Sequence, residues 1–238
     1  KKNEKYNDVS ENDNSNEMIT DGYYMYANKD FVKGIDISAN NKVDWSSAQE
    51  QLDFTVLKLA NTYFTIDLES PNQIDSSFYN HYENSKKYGI PTTFYIYCQW
   101  HDFHSLEEMK ENARKEAEWF VNYVKNNNLE PDLGVLFFDY EGTGSDGQFQ
   151  ASKCTQEYIE AIMSVHKEVV EASGYKYGIY SNCATINKVS MDKFEDAVYW
   201  IAGGPFYGDD RTKDYYTIEE LIGFTCLSKY RSEERHVG

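Results

Sequence analysis

Strands alternating with helices along one chain predict an α/β fold, with a parallel sheet closed into a β/α barrel as the first expectation and an open doubly wound sheet as the second. Two further observations support the barrel. The chain has 238 residues, 40% of them hydrophobic, which suits a single barrel with one large core. The most apolar strand candidate, Val135-Leu136-Phe137-Phe138, runs directly into Asp139-Tyr140-Glu141-Gly142. Two acids therefore stand at the C-terminal end of a strand, where parallel α/β folds place their ligands and chemistry.

The elements follow in order. Residues 1–30 are rich in Asn, Asp, Glu, Lys and Ser without periodicity and read as a polar arm or linker, leaving 31–238 as the folded domain. Tyr23-Tyr24-Met25-Tyr26 is a short strand candidate at the end of that arm. Phe31 to Ser38 reads as the first strand of the domain and carries Asp36 among apolar neighbours. A carboxylate there is costly unless it is partnered or faces a cleft. Asp44 is a helix N-cap, and Phe54 to Ala60 is the second strand. A helix is expected from Asp75 to Tyr88, closed by Gly89 and Pro91. Thr92 to Cys98 is the third strand, with Phe94 and Ile96 on one face and Tyr95 and Tyr97 on the other. Ser105 caps a long helix to about Lys125, with Glu108 at the capping-box position. The strand bearing Asp139 and Glu141 is fourth. A helix from Thr155 to Ala172 closes at Gly174, and strands follow at Tyr177–Ser181, Ala197–Ala202 and Leu221–Leu227. No internal linker divides the domain.

Composition removes several function classes. A formal charge of -17 excludes a nucleic-acid backbone and an anionic membrane surface as partners, because both demand a basic patch. No run of eighteen apolar residues exists, so no membrane insertion is expected. The chain begins Lys1-Lys2-Asn3 with no signal peptide and reads as a processed or excised piece. The four cysteines (Cys98, Cys154, Cys183, Cys226) form no CxxC pair and are expected as free thiols. Cys98-x-x-His101-x-x-His104 lacks a fourth ligand and standard zinc spacing, so no metal site is expected.

Two loops of chemistry compete around the fourth strand. Side chains two apart on a strand share a face, with Cα atoms ~6.6 Å apart. Asp139 and Glu141 would then converge, and each raises the other's proton affinity, so that one can stay protonated near neutrality. A proton donor beside a charged carboxylate is what glycosidic bond cleavage needs; a strand that merely meets water in polar residues is the plainer alternative. The rival is Gly142-Thr143-Gly144-Ser145-Asp146-Gly147, which matches the dinucleotide-binding pattern GxGxxG. Gln148 to Ala151 separate it from the next helix, and three nearby acids would repel a diphosphate, so it is set aside.

The spaced motifs carry a resemblance. Gly34-Ile35-Asp36-Ile37-Ser38, Val43-Asp44-Trp45, Ile74 to Asn80, Gly89-Ile90-Pro91, Phe94-Tyr95-Ile96-Tyr97, Phe138-Asp139-Tyr140-Glu141-Gly142, Gly174 to Asn182 and Tyr199-Trp200-Ile201-Ala202 occur in that order. Together they resemble the glycoside hydrolase family 25 lysozymes, the Chalaropsis-type N-acetylmuramidases. The resemblance implies an irregular TIM-like β/α barrel whose reaction cleaves the β-1,4 bond between N-acetylmuramic acid and N-acetylglucosamine in peptidoglycan. It implies Glu141 as general acid, Asp139 as the group stabilising the oxocarbenium-like centre or orienting the substrate N-acetyl group, and Asp36 as a residue that tunes the pair. Tyr95, Tyr97, Tyr180 and Trp200 would line sugar subsites, with core packing as the alternative for each. No metal or organic cofactor is implied. The expected partner is the peptidoglycan glycan strand, met by a monomer that is secreted or acts at the cell envelope. The family carries another Asp in its last strand, and this chain ends at His236-Val237-Gly238 about where that strand begins. The last strand is therefore expected to be missing, or replaced by the N-terminal Tyr-rich segment. The alternative from another class is a barrel of this fold that binds glycan without cleaving it.

Overall fold

The computed structural model describes residues 34–63, 73–99, 105–140 and 155–202. Six strands run parallel: β1 (Gly34–Ile37), β2 (Phe54–Tyr63), β4 (Thr92–Gln99), β5 (Val135–Asp139), β6 (Lys176–Asn182) and β7 (Val198–Ala202). A two-residue β3 (Gln73–Ile74) pairs antiparallel with β2. The parallel strands lie in the order β1-β2-β4-β5-β6-β7, each laid beside the one before it. A doubly wound sheet would reverse direction at a switch point and carry helices on both faces. Here the order never reverses, and the sheet is the curled part of a TIM-like barrel. The expected closing strands at Leu221–Leu227 and beyond, the Tyr23–Tyr26 segment, the 1–30 arm and the Gly142–Gly147 loop lie outside the described residues.

Local chemistry sets the helices. α1 (Trp45–Gln51) starts where the Asp44 carboxylate accepts from the N–H groups of Ser46 and Ser47. α2 (Phe78–Lys87) begins three residues later than the Asp75 start the sequence suggested. Asp75 instead holds a turn: its carboxylate accepts from Ser77 N–H at 3.0 Å, and its carbonyl accepts from Phe78 N–H at 3.0 Å. α3 (Leu106–Asn126) is capped by Ser105 and α4 (Gln156–Ala172) by Thr155, as anticipated. Gly89 and Gly174 close α2 and α4 with φ of +67° and +91°, a backbone that a side chain would strain. Between β6 and β7 the crossover is made by a single turn, α5 (Cys183–Ile186), and a 3-10 turn at Met191–Phe194. Both are too short to leave a periodic signal in sequence. Among the described residues no helix is long and apolar enough to cross a membrane.

Strand alternation divides the core in two. Ile37, Leu57, Phe94, Ile96, Leu136, Phe138, Tyr177 and Ile179 pack against Phe78, Phe120, Val124, Ile159 and Met163 of the helices. A second, smaller cluster holds Val56, Tyr95, Val135 and Phe137, with Phe54, Val198 and Trp200 packed against it and no helical residue in it. The helices therefore cover one face, and the other is the barrel interior. On β2 the register slips at Leu59, because Lys58 pairs Tyr95 while Ala60 pairs Ile96. Leu59 and Ala60 both join the helix-side core, and the slip turns Asn61 toward the interior.

Candidate active site

All five residues of β5 are buried. Leu136 and Phe138 face the helices, whereas Val135 and Phe137 belong to the interior cluster. By the same alternation Asp139, only 4% exposed, stands on the interior face at the C-terminal end of the strand. A carboxylate so placed is not where a strand merely meets solvent.

Its neighbours across the sheet are aromatic. The register puts Tyr97 of β4, Asp139 of β5, Tyr180 of β6 and Trp200 of β7 side by side in one row, continued on β2 by Asn61. The row beneath contains Tyr95, Phe137, Gly178 and Val198. Trp200 ties the rows together: its ring lies 4.2 Å from that of Tyr180, and it meets Tyr95 and Phe137 nearly at right angles at 5.6 and 5.8 Å. Gly178 makes room for this floor, since a Cβ there would stand 2.4 Å from the Phe137 ring. Tyr95 is buried and serves the floor, while Tyr97, Tyr180 and Trp200 remain half-buried. All five described candidates on these strands thus share one face, and Asp36 shares it too, since Ile35 and Ile37 point toward the helix-side core.

Register alone sets Asp36 apart, because it pairs with Val56, which pairs with Thr93, below the Tyr95 row. Electrostatics brings it back. Burial pushes the Tyr95 hydroxyl far above the ordinary phenol range, and the charges of Asp36, Asp139 and Asp75 push it further. Tyr95 therefore keeps its proton and stands neutral in the field of three acids. The Asp36 side chain is exposed, yet the protein around it still desolvates the carboxyl. That desolvation raises its carboxyl above the ordinary 3.8, offset in part by its own backbone N–H.

Three residues at this site escaped the sequence reading. Asp75, read only as a helix start, braces the rim by accepting from Ala39 N–H at 3.0 Å, just beyond β1. Lys58 places its ammonium 5.0 Å from the centre of the Tyr97 ring; a lysine inside the apolar run Val56-Leu57-Lys58-Leu59 was the available signal. The side-chain oxygen of Asn61 is buried without a hydrogen-bond partner among the described residues. Glu141, the expected acid, lies outside the described residues. So do His101 and His104, whereas Cys98 of the same run is buried in the helix-side core, away from the cleft. Cys98 and Cys183 are free thiols.

The sequence profile described as Glycosyl hydrolases family 25 matches residues 35–225. No curated protein sequence matches the chain. Among solved structures, a family 25 glycosyl hydrolase from Bacillus anthracis is similar at 16% identity and a TM-score of 0.55, covering 76% of this chain and 74% of that one. A muramidase from Trichobolus zukalii gives 16% identity and a TM-score of 0.51, with 72% and 76% covered. The modular autolysin LytC from Streptococcus pneumoniae, in complex with a synthetic peptidoglycan ligand, gives 15% identity and a TM-score of 0.53. That match covers 68% of this chain but only 35% of LytC. At these identities the structures speak for the fold, and the profile, spanning most of the chain, speaks for the family: the chain belongs to glycosyl hydrolases family 25.

Proposed function

We propose that the protein hydrolyses peptidoglycan at the β-1,4 bond between N-acetylmuramic acid and N-acetylglucosamine. The observation that carries this reading is the row Tyr97, Asp139, Tyr180, Trp200 on the helix-free face of the sheet. A buried carboxylate flanked by half-buried aromatic faces suits a sugar ring, whose C–H face stacks on an aromatic while its hydroxyls seek acceptors. In this reading Glu141 protonates the leaving oxygen. Asp139 stabilises the positive charge that develops at the anomeric carbon, or orients the N-acetyl group of the substrate. Asp36 and the neutral Tyr95 hydroxyl adjust the charge around Asp139, and Tyr97, Tyr180 and Trp200 hold the sugars. Asn61 and Lys58 supply an acceptor and a cation at the β2 end of the row. The family's muramidase and autolysin relatives by fold support a wall polymer as substrate and action outside the cytoplasm or at the envelope. The chain works as a monomer, with residues 1–30 as an arm and 31–238 as the catalytic domain.

The test is digestion of purified peptidoglycan, with mass spectrometry of the soluble fragments and Glu141→Gln run alongside. New reducing ends at muramic acid, lost in the variant, are the expected result. Reducing ends at glucosamine would overturn the bond assignment. Retention of wall with no fragments released would replace cleavage by binding.

A further inference from the structure

On the helix side of the sheet, behind Asp139, polar side chains form one buried chain. Thr62 of β2 donates to one oxygen of the Glu116 carboxylate on α3. The other oxygen lies 2.9 Å from His166 Nε2 on α4. Across the imidazole, Nδ1 lies 2.6 Å from the Tyr140 hydroxyl, which lies 2.5 Å from the Tyr177 hydroxyl of β6. All five side chains are fully buried, and Phe138 stacks on the His166 ring at 4.1 Å. Burial pushes both tyrosine hydroxyls well above their ordinary range, so both keep their protons. With imidazole protonated at Nε2, Tyr177 donates to Tyr140 and Tyr140 to Nδ1, while Nε2 stands 2.9 Å from the Glu116 carboxylate.

Such a chain is an expensive way to fill a wall, because apolar side chains of equal volume are commonly as stable or more so. Its position suggests what it is for. Tyr140 sits between Asp139 and Glu141, and its main chain is held as well. Its N–H donates to Tyr180 O at 2.9 Å, and its carbonyl accepts from Ser181 Oγ at 3.0 Å. Tyr140 is thus fixed at its backbone by β6 and at its hydroxyl by His166 of α4 and Tyr177 of β6. On an extended chain, the residue before it faces the opposite way. We infer that the Glu116–His166–Tyr140–Tyr177 chain is a positioning device: it pins Tyr140 in the wall so that Asp139, its neighbour in sequence, meets the substrate in one orientation. The inference rests on the assignment of Asp139 to the cleavage reaction. Rigid placement of this kind acts on turnover more than on affinity.

Steady-state cleavage of a soluble peptidoglycan tetrasaccharide, with thermal unfolding of each variant, tests it. Tyr140→Phe keeps the ring and removes the hydroxyl; it is expected to lower kcat at least tenfold with KM within twofold. Leu129→Ala, a destabilising change remote from the chain, is expected to lower Tm comparably and keep kcat. His166→Asn retains a polar atom near the Nδ1 position and is expected to keep more kcat than His166→Leu, a comparison that decides the matter if Tyr140→Phe does not fold. Wild-type kcat in Tyr140→Phe, or equal kcat in the two His166 variants, would overturn the positioning role while cleavage by the wild type stands. A wild type that cuts nothing would instead overturn the assignment of Asp139, and this inference with it.

Discussion

On the helix side of the sheet, Thr62, Glu116, His166, Tyr140 and Tyr177 meet one another in one buried run inside the wall. On the barrel side, Asp36 and Asp139, with Asp75, bear electrostatically on the neutral Tyr95 hydroxyl. The same strands build both faces, and the residues differ mainly by the parity of their position. Asp139 and Tyr140 are adjacent in sequence, yet one faces the cleft and the other is locked into packing. A buried polar group whose partners all lie within the fold holds shape. Polar groups that crowd one another in a cleft raise the local proton affinity and leave chemistry to a ligand.

That contrast can be broken first on the helix side. Glu116→Leu leaves the His166 ring N–H and the Thr62 hydroxyl without their carboxylate in an apolar wall, and a loss of about 2–4 kcal/mol in chemical denaturation is expected. Adding His166→Leu should recover a good part of it; no recovery would mean that the pair's electrostatics, not its unpaired remainder, sets the cost. A smaller effect belongs to the barrel floor. Gly178→Ala drives a methyl into the Phe137 ring and should cost about 1–3 kcal/mol, with Phe137→Leu in the same chain relieving part of it. A neutral Gly178→Ala would show that the floor gives way freely.

The smallest effects are in the pH dependence of stability, and they have opposite signs. The Asp36 carboxyl is raised, so its contribution is complete below pH 3.8 and is lost as pH rises through its folded value. Asp36→Asn should therefore be no less stable than wild type at neutral pH. Glu160 on α4 is the converse. Burial alone would raise its carboxyl, but Lys193, Gln156 and the Ser190 backbone N–H outweigh burial and hold it at about 2. Its contribution is present above 4.5 and lost as pH falls toward 2, so Glu160→Gln should be destabilised at neutral pH and match wild type in acid. Parallel stability curves for the two variants would contradict the difference between cleft and wall.

Much of this was legible in the chain. The alternation of Phe94 and Ile96 with Tyr95 and Tyr97 assigned both faces of β4 correctly, and Asp44, Ser105 and Thr155 marked helix starts. The order of the strands settled barrel against doubly wound sheet, which sequence alternation could not do, since both folds share it. Asn61 was hidden because the slip at Leu59 breaks the period of two. Asp75 was hidden because a carboxylate before Ser76-Ser77 looks the same whether it caps a helix or braces a loop. The Glu116–His166 pair joins residues 50 positions apart in two helices, a distance no local pattern spans. A trace of it was present: both lie on otherwise apolar stripes, Ala113-Glu116-Ala117-Phe120 and Ile162-Met163-His166-Val170.

The most direct measurement is peptidoglycan cleavage and thermal unfolding of Asp139→Asn, taken together. If the interior face is the reaction site, the rate should fall at least about a hundredfold, with Tm changed far less than by Glu116→Leu. Cleavage at the wild-type rate, or a loss of Tm as large as that of Glu116→Leu, would make Asp139 a structural residue and move the chemistry elsewhere.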